Sequence, residues 1–258
     1  MALLKVRYTL ERSYPTQGIV LAAGLGSRMA PITDHTPKPL IRFFSVEMLE
    51  ISVVHLVRAG VQRIAINARH LAGQIENFVE RRLRERFPDV EFFVSVEEEV
   101  LGTGGAVVNL RDWLNPGPFW MVNSDAVFAQ PLKDVAESHI RSRNDVTLMV
   151  TRADEHRALR FLRTTNDGLL VERTPEAEDS GYAFCGVHIN EGEILDILPA
   201  SGECCVLRAG HLPWANTSGR VRVFETTHFW ADAGTPERYL EAHKRALPEL
   251  ESWFPRQT

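Results

Sequence analysis

Over the first 150 positions the chain switches repeatedly between two apolar textures. One is the short, dense run: "GIVLAAG" (18–24), "VQRIAINAR" (61–69), "VEFFVSV" (90–96), "PFWMVNSDAVF" (118–128) and "DVTLMV" (145–150). Runs of this length, rich in Val, Ile and Phe, predict buried strands. The other is a helical stripe: "SVEMLEISVVHLVRAG" (45–60) places Leu49, Val53 and Leu56 on one face and ends at Gly60. "LAGQIENFVERRLRER" (71–86) turns Ile75, Phe78 and Leu83 inward, and "GGAVVNLRDWL" (104–114) and "PLKDVAESHIRSR" (131–143) continue the alternation. Strand–helix alternation at this pitch predicts parallel strands joined by right-handed crossovers, a doubly wound α/β sheet.

After about residue 155 the texture changes. "ALRFLRTTNDGLLVERT" (158–174) predicts a hairpin turning at Asn166-Asp167-Gly168. "GYAFCGVHIN" (181–190) predicts another strand and "VRVFETTHFWADAG" (221–234) a strand pair. "TPERYLEAHKRAL" (235–247) predicts a closing helix with Thr235 as N-cap and Pro236 in its first turn. No repeat, low-complexity tract or linker divides the chain. The expectation is a single domain over 1–258, with a doubly wound half at about 18–155 and a second half at about 156–248 that covers the mouth of the sheet. Residues 1–17, with "LKVRYTL" alternating like an edge strand, stand before that core. They suit either an extension of the sheet or self-association into a homo-oligomer.

Composition narrows the partners. The net charge of −5 lacks the basic footprint of a nucleic-acid binder. No apolar run approaches the length of a membrane span, and Lys5 and Arg7 interrupt the only apolar stretch near the start. Cys185, Cys204 and Cys205 are the only cysteines. An odd count without metal-ligand spacing points to free thiols in a reducing, cytoplasmic compartment.

The chemistry begins where the first strand ends. In an open α/β sheet ligands bind beyond the carboxyl ends of the strands. There the chain reads "LAAGLGSRMAPITDHTPKPL" (21–40). Gly24 and Gly26 allow close approach of backbone N–H groups to phosphate. Arg28 adds a forked donor, and Lys38, between Pro37 and Pro39, a point charge on a stiffened stem. A Walker loop would need Gly-Lys-Ser/Thr, and a dinucleotide fingerprint a glycine where Met29 stands, so neither fits. Asp125 follows the apolar "FWMV", and Asp232 lies in a stretch poor in charge. Two carboxylates beside phosphate oxygens make an oxygen-rich site suited to Mg²⁺.

These stretches resemble the signature elements of the sugar-1-phosphate nucleotidyltransferases. The first loop matches that family's G-x-G-x-R, P-x-T and P-K-P pattern. "LGTGGAV" (101–107) resembles its nucleobase loop, and "VNSDAVF" and "WADAGTPERY" its two metal-binding aspartates. The likeness runs from about Gly18 to Lys244. It implies the nucleotide-diphospho-sugar transferase fold, a mostly parallel Rossmann-like sheet with a small antiparallel sugar-site sheet. It also implies transfer of a nucleotidyl group from a nucleoside triphosphate to a sugar-1-phosphate, with Mg²⁺ as cofactor. Arg28 and Lys38 would be catalytic, and Asp125 and Asp232 would hold the metal. Leu21, Ala22, Ala23, Gly24, Gly26, Ser27, Thr103, Gly104 and Gly105 would line the nucleotide. Asn123, Glu172, Arg173 and Gly186 would meet the sugar.

Two departures stand out. Ser124 replaces a common glycine, and "VERTPE" puts Arg173 where the family's Glu-Lys-Pro has lysine. The compact form and "LGTGGA" resemble N-acetylmuramate-1-phosphate uridylyltransferases, toward which the reading leans. They also resemble mannose- or heptose-1-phosphate guanylyltransferases. A cytidylyltransferase acting on a non-sugar phosphate shares the first loop, but "TPKPL" favours the sugar branch. A non-catalytic sensor of nucleotide sugars would be expected to lose a catalytic cation or an aspartate. All four are present.

Overall fold

The computed structural model describes residues 13–152, 161–165, 168–174, 181–217 and 219–247. Among the described residues thirteen strands and seven α-helices follow in order. They are β1 (Gln17–Leu21), β2 (Arg42–Phe43), β3 (Val46–Glu47), α1 (Met48–Arg58), β4 (Arg63–Ala68), α2 (Ala72–Phe78), α3 (Arg84–Arg86), β5 (Glu91–Val96), α4 (Gly102–Asn109), β6 (Phe119–Asn123) and β7 (Ala126–Phe128). Then come α5 (Leu132–Arg141), β8 (Val146–Arg152), β9 (Phe161–Thr164), β10 (Leu170–Thr174), β11 (Tyr182–Asn190), α6 (Leu212–Thr217), β12 (Val221–Glu225), β13 (Trp230–Asp232) and α7 (Pro236–Ala246).

One nine-stranded sheet carries the fold, in the order β10-β9-β11-β6-β1-β4-β5, with β8 beside β11 and β12 beside β8. β1 pairs in parallel with β4 and β6, β4 with β5, and β12 with β8. β11 runs antiparallel to β6, β8 and β9. The expected antiparallel sugar-side strands are therefore continuous with the parallel sheet. The separate two-stranded sheets are β13-β7 and β2-β3.

The central strands are apolar on both faces, as a sheet covered on both sides requires. In β6, Trp120 and Val122 face one core with α1 and α5, while Phe119 and Met121 face the other with α4. A third cluster seats α7 on β7 and β13, through Ala242 and Ala246 against Val127 and Ala231. Helix α7 starts as expected: Thr235 Oγ1 accepts the Arg238 N–H at 3.3 Å and Pro236 opens the first turn. The predicted helix 71–86 forms with a wide turn, Val79–Leu83, between α2 and α3.

The sequence expectation differs in two places. "PFWMVNSDAVF" is not one strand: β6 ends at Asn123, and β7 leaves the sheet to pair with β13. "VRVFETTHFWADAG" does form two strands, but β12 pairs with β8 and β13 with β7, not with each other. The β9–β10 hairpin forms with a register shift between Leu170 and Glu172. Gly168 has φ +80 there, while Asn166 and Asp167 lie outside the described residues. Residues 1–12 also lie outside them. Among the described residues no helix is long and apolar enough to cross a membrane.

Candidate active site

The carboxyl ends of β1, β4 and β6 open on one side, where the loop after β1 folds into three tight turns: Ser27–Met29, Ile32–Asp34 and Lys38–Leu40. Buried Met29 anchors the first, leaving Arg28 exposed beside it. Gly26 is required by the loop itself. It has φ +68, and a Cβ there would lie 2.8 Å from Thr33 Cγ2 and 3.2 Å from Lys38 Cβ. Thr33 Oγ1 donates to Gly26 O at 2.9 Å and closes the loop on itself. Gly24 is different: a Cβ there would meet nothing within 4 Å, so its backbone faces open space that a phosphate can approach.

The two candidate metal carboxylates converge through the β7–β13 ladder. Asp232 pairs with Ala126, and the Ala233 N–H donates to Asp125 O at 3.0 Å. Over a hundred residues apart in sequence, they flank one short two-stranded sheet. Lys38, almost fully buried, donates through Nζ to Asp125 Oδ2. Arg238 Nη1 donates to Asp232 Oδ2 at 2.9 Å. Asp232 Oδ1 is buried and, among the described residues, has no hydrogen-bond partner. Gly234 makes room: a Cβ there would lie 2.5 Å from Asp232 Oδ1 and 3.3 Å from Arg28 Nη2. Lys38 with Asp125, and Asp232 with Arg28 across Gly234, thus stand at the end of the same short ladder. An orphaned carboxylate oxygen in an all-oxygen donor set fits a hard divalent cation.

The other expected residues are placed as follows. Leu21 O accepts the Ser124 N–H at 3.1 Å, joining the ends of β1 and β6. Ala22 is buried and its N–H donates to Asn67 Oδ1 at 2.7 Å, so that N–H is already engaged. Ala23 is half-buried and Ser27 exposed at the mouth. Thr103, Gly104 and Gly105 lie in the first turn of α4, pressed by the segment 202–206. Gly104 N–H donates to Cys204 O at 2.8 Å, and Thr103 Oγ1 accepts from Val206 N–H at 3.0 Å. A Cβ on Gly104 would lie 2.6 Å from Cys204 Sγ, and one on Gly105 2.6 Å from Gly202 O. These two glycines permit a close crossing of two segments, a role that the family likeness does not suggest.

Asn123 and Gly186 meet directly. Gly186 has φ +75 at the irregularity where β11 shifts register against β8, and a Cβ there would lie 2.7 Å from Asn123 Nδ2. Replacing Gly186 with alanine is expected to destabilise the fold by about 1–3 kcal/mol, from the left-handed backbone and that contact together. Chemical denaturation of the variant beside wild type measures it. Of Glu172 and Arg173 only the backbone in β10 is described, opposite Arg163 and Leu162; their side chains lie outside the described residues.

Sequence reasoning missed Asn67 and Arg238. Glu97 is buried, accepts from Asn67 Nδ2 at 2.7 Å, and its carboxyl is pushed up by burial against that hydrogen bond. The chain Ala22–Asn67–Glu97 ties the ends of β1, β4 and β5 together. The one available signal was a polar Asn67 at the carboxyl end of an otherwise apolar strand.

A family model described as nucleotidyl transferase matches residues 17–249. Among curated proteins, the Xenopus laevis mannose-1-phosphate guanyltransferase beta-A is 27% identical over 232 residues, covering 87% of this chain and 62% of its own length. The Danio rerio mannose-1-phosphate guanylyltransferase catalytic subunit beta is 28% identical over 248 residues, covering 90% of this chain and 67% of that protein. The chain therefore spans about three-fifths to two-thirds of the length of these relatives. Among solved structures, HddC from Yersinia pseudotuberculosis complexed with GMP-PN superposes with a TM-score of 0.73 at 23% identity, covering 89% of this chain and 99% of that one. The UDP-glucose pyrophosphorylase from Acinetobacter baumanii gives 0.78 at 17% identity, covering 91% and 94%. At these identities the structural likeness shows a shared fold.

Proposed function

Because the chain belongs to the nucleotidyl transferase family, we propose that it transfers a nucleotidyl group from a nucleoside triphosphate to a sugar-1-phosphate, releasing pyrophosphate. The observation that carries this reading is that the Lys38–Asp125 pair and the Asp232–Arg28 approach lie at the end of one short ladder, with the open loop at Gly24 before them in the chain. A phosphate oxygen of the acceptor attacks the α-phosphorus in line, and the bond to the β-phosphate oxygen breaks. No covalent enzyme intermediate is needed, so the site works by positioning and by offsetting negative charge.

Each residue has a part. Gly24 lets the backbone approach the triphosphate. Arg28, exposed at the mouth, takes the departing pyrophosphate with its forked donors. Lys38 Nζ stabilises the charge that builds on the α-phosphate. Asp125 and Asp232 would hold Mg²⁺, which when bound neutralises charge between donor and acceptor phosphates. Asn123 and the bulge at Gly186 would border the sugar. Three free thiols among the described residues suit a reducing cytoplasm.

For the base, the curated relatives turn the lean from uridylyl toward guanylyl transfer, with mannose-1-phosphate or a heptose-1-phosphate as acceptor. Pyrophosphate release with Mg²⁺, measured across UTP, GTP, CTP, ATP and dTTP against a panel of sugar-1-phosphates, tests this. Turnover confined to GTP supports guanylyl transfer. Turnover with UTP and N-acetylmuramate-1-phosphate would restore the uridylyl reading.

A further inference from the structure

The two carboxylates of the site are held by two different cations. Lys38 holds Asp125, and Arg238 holds Asp232 through Oδ2, leaving Oδ1 buried and without a partner among the described residues. Arg238 is itself well seated. Its backbone N–H is fixed by Thr235 Oγ1, so its guanidinium projects from the capped first turn of α7 toward β13. The third cation, Arg28, comes close to the same carboxylate across Gly234.

A pair of bare carboxylates would attract a divalent cation strongly by themselves. Here the pair is already neutralised, and a dication arriving alone meets two salt-bridged cations and a neighbouring guanidinium. A triphosphate changes the balance. Its anionic oxygens offer new partners to Lys38, Arg28 and Arg238 and free both carboxylates at once.

We propose that Arg238 is a positioning residue for the reaction, holding Asp232 in reserve so that the divalent cation binds together with the triphosphate and not before it. This rests on the nucleotidyl-transfer reading, and its test is a binding measurement. Mn²⁺, followed by the electron paramagnetic resonance signal of the free ion, is titrated into wild type, Arg238→Met and Arg238→Lys, with and without GTP. Wild type is expected to bind Mn²⁺ weakly without nucleotide, and with GTP to remove more free Mn²⁺ than the same GTP does without protein. Arg238→Met is expected to bind it about tenfold more tightly without nucleotide, the effect of losing one partly screened ion pair. Arg238→Lys keeps a cation on that turn and is expected to stay near wild type; thermal unfolding checks that each variant folds.

Equal Mn²⁺ affinity in wild type and Arg238→Met without nucleotide would overturn the proposal. So would a wild-type affinity that GTP leaves unchanged while GTP itself binds. Failure of any nucleoside triphosphate to bind, with Mn²⁺ present, would instead overturn the nucleotidyl-transfer reading on which it rests.

Discussion

Replacing Lys38 with alanine is expected to lower turnover at saturating substrates by about 10²-fold or more, the scale seen when one preorganised donor to a developing oxyanion is removed. Lys38 is unusual among the cations of this chain in being nearly buried, between Pro37 and Pro39 in a tight turn. A lysine held so firmly loses little freedom when the reaction reaches its transition state. Its effect should therefore fall on kcat rather than on KM. The same substitution leaves Asp125 without its partner. Asp125 keeps about a quarter of its side chain exposed (28%), so solvent tolerates the unpaired charge and the variant should fold. Steady-state kinetics on the folded variant reads the result. Near-normal kcat would remove Lys38 from the chemistry.

The second large effect is on stability and concerns acid. His188 and His211 are buried, and His55 is largely desolvated beside Arg58. Burial is the main cause that holds His55 down, to about 4, with Arg58 adding to it, even though a hydrogen bond with the backbone of Phe128 works the other way. Burial likewise holds His188 down to about 3, against its hydrogen bond with Asn190, and His211 well below the usual range, helped by His188. His188 and His211 share Asn190, with His211 Nε2 2.7 Å from Asn190 Oδ1.

In the unfolded chain these side chains titrate near 6.5, so between that pH and their folded values the unfolded state binds protons that the native state refuses. Stability is full above about pH 6.5 and is lost as pH falls below it. Each group contributes at most about 1.4 kcal/mol per pH unit. Together they should lower the unfolding free energy by about 4 kcal/mol between pH 7.5 and 5.5. That is a large share of the stability of a typical domain. Glu97 works in the opposite direction, since burial raises its carboxyl, but it is one group against three. Denaturant unfolding at the two pH values measures the difference, and His55→Gln should reduce it by about a third. A stability that does not change between them would contradict the account.

Much of the scaffold was legible because it rests on local signals. The strand "GIVLAAG", the stripe through Leu49, Val53 and Leu56, and the Thr235-Pro236 start of α7 all appear as read. The cations Arg28 and Lys38 were legible because the chemistry of phosphate demands such groups at a strand's end. What escaped was long-range. β7 and β13 are three residues each, too short to show a period, and they pair across a hundred residues of chain. That pairing joins Asp125 to Asp232 and brings Arg238 to the site, so this fifth charge could not be found by spacing alone. The crossing of α4 by the segment 202–206 is also invisible locally. Its trace is a cluster of glycines, which read equally well as a ligand loop.

The most direct test of the central claim is to watch phosphorus during the reaction. ³¹P NMR would follow Mg²⁺, GTP and mannose-1-phosphate in the presence of the protein, with the other sugar-1-phosphates and triphosphates in turn. The account predicts that one pair loses its sugar monophosphate signal, that a pyrophosphate-bridged nucleotide sugar appears, and that free pyrophosphate rises in equal amount. Orthophosphate and a nucleoside diphosphate in their place, or no change across the panel in a folded protein, would contradict it.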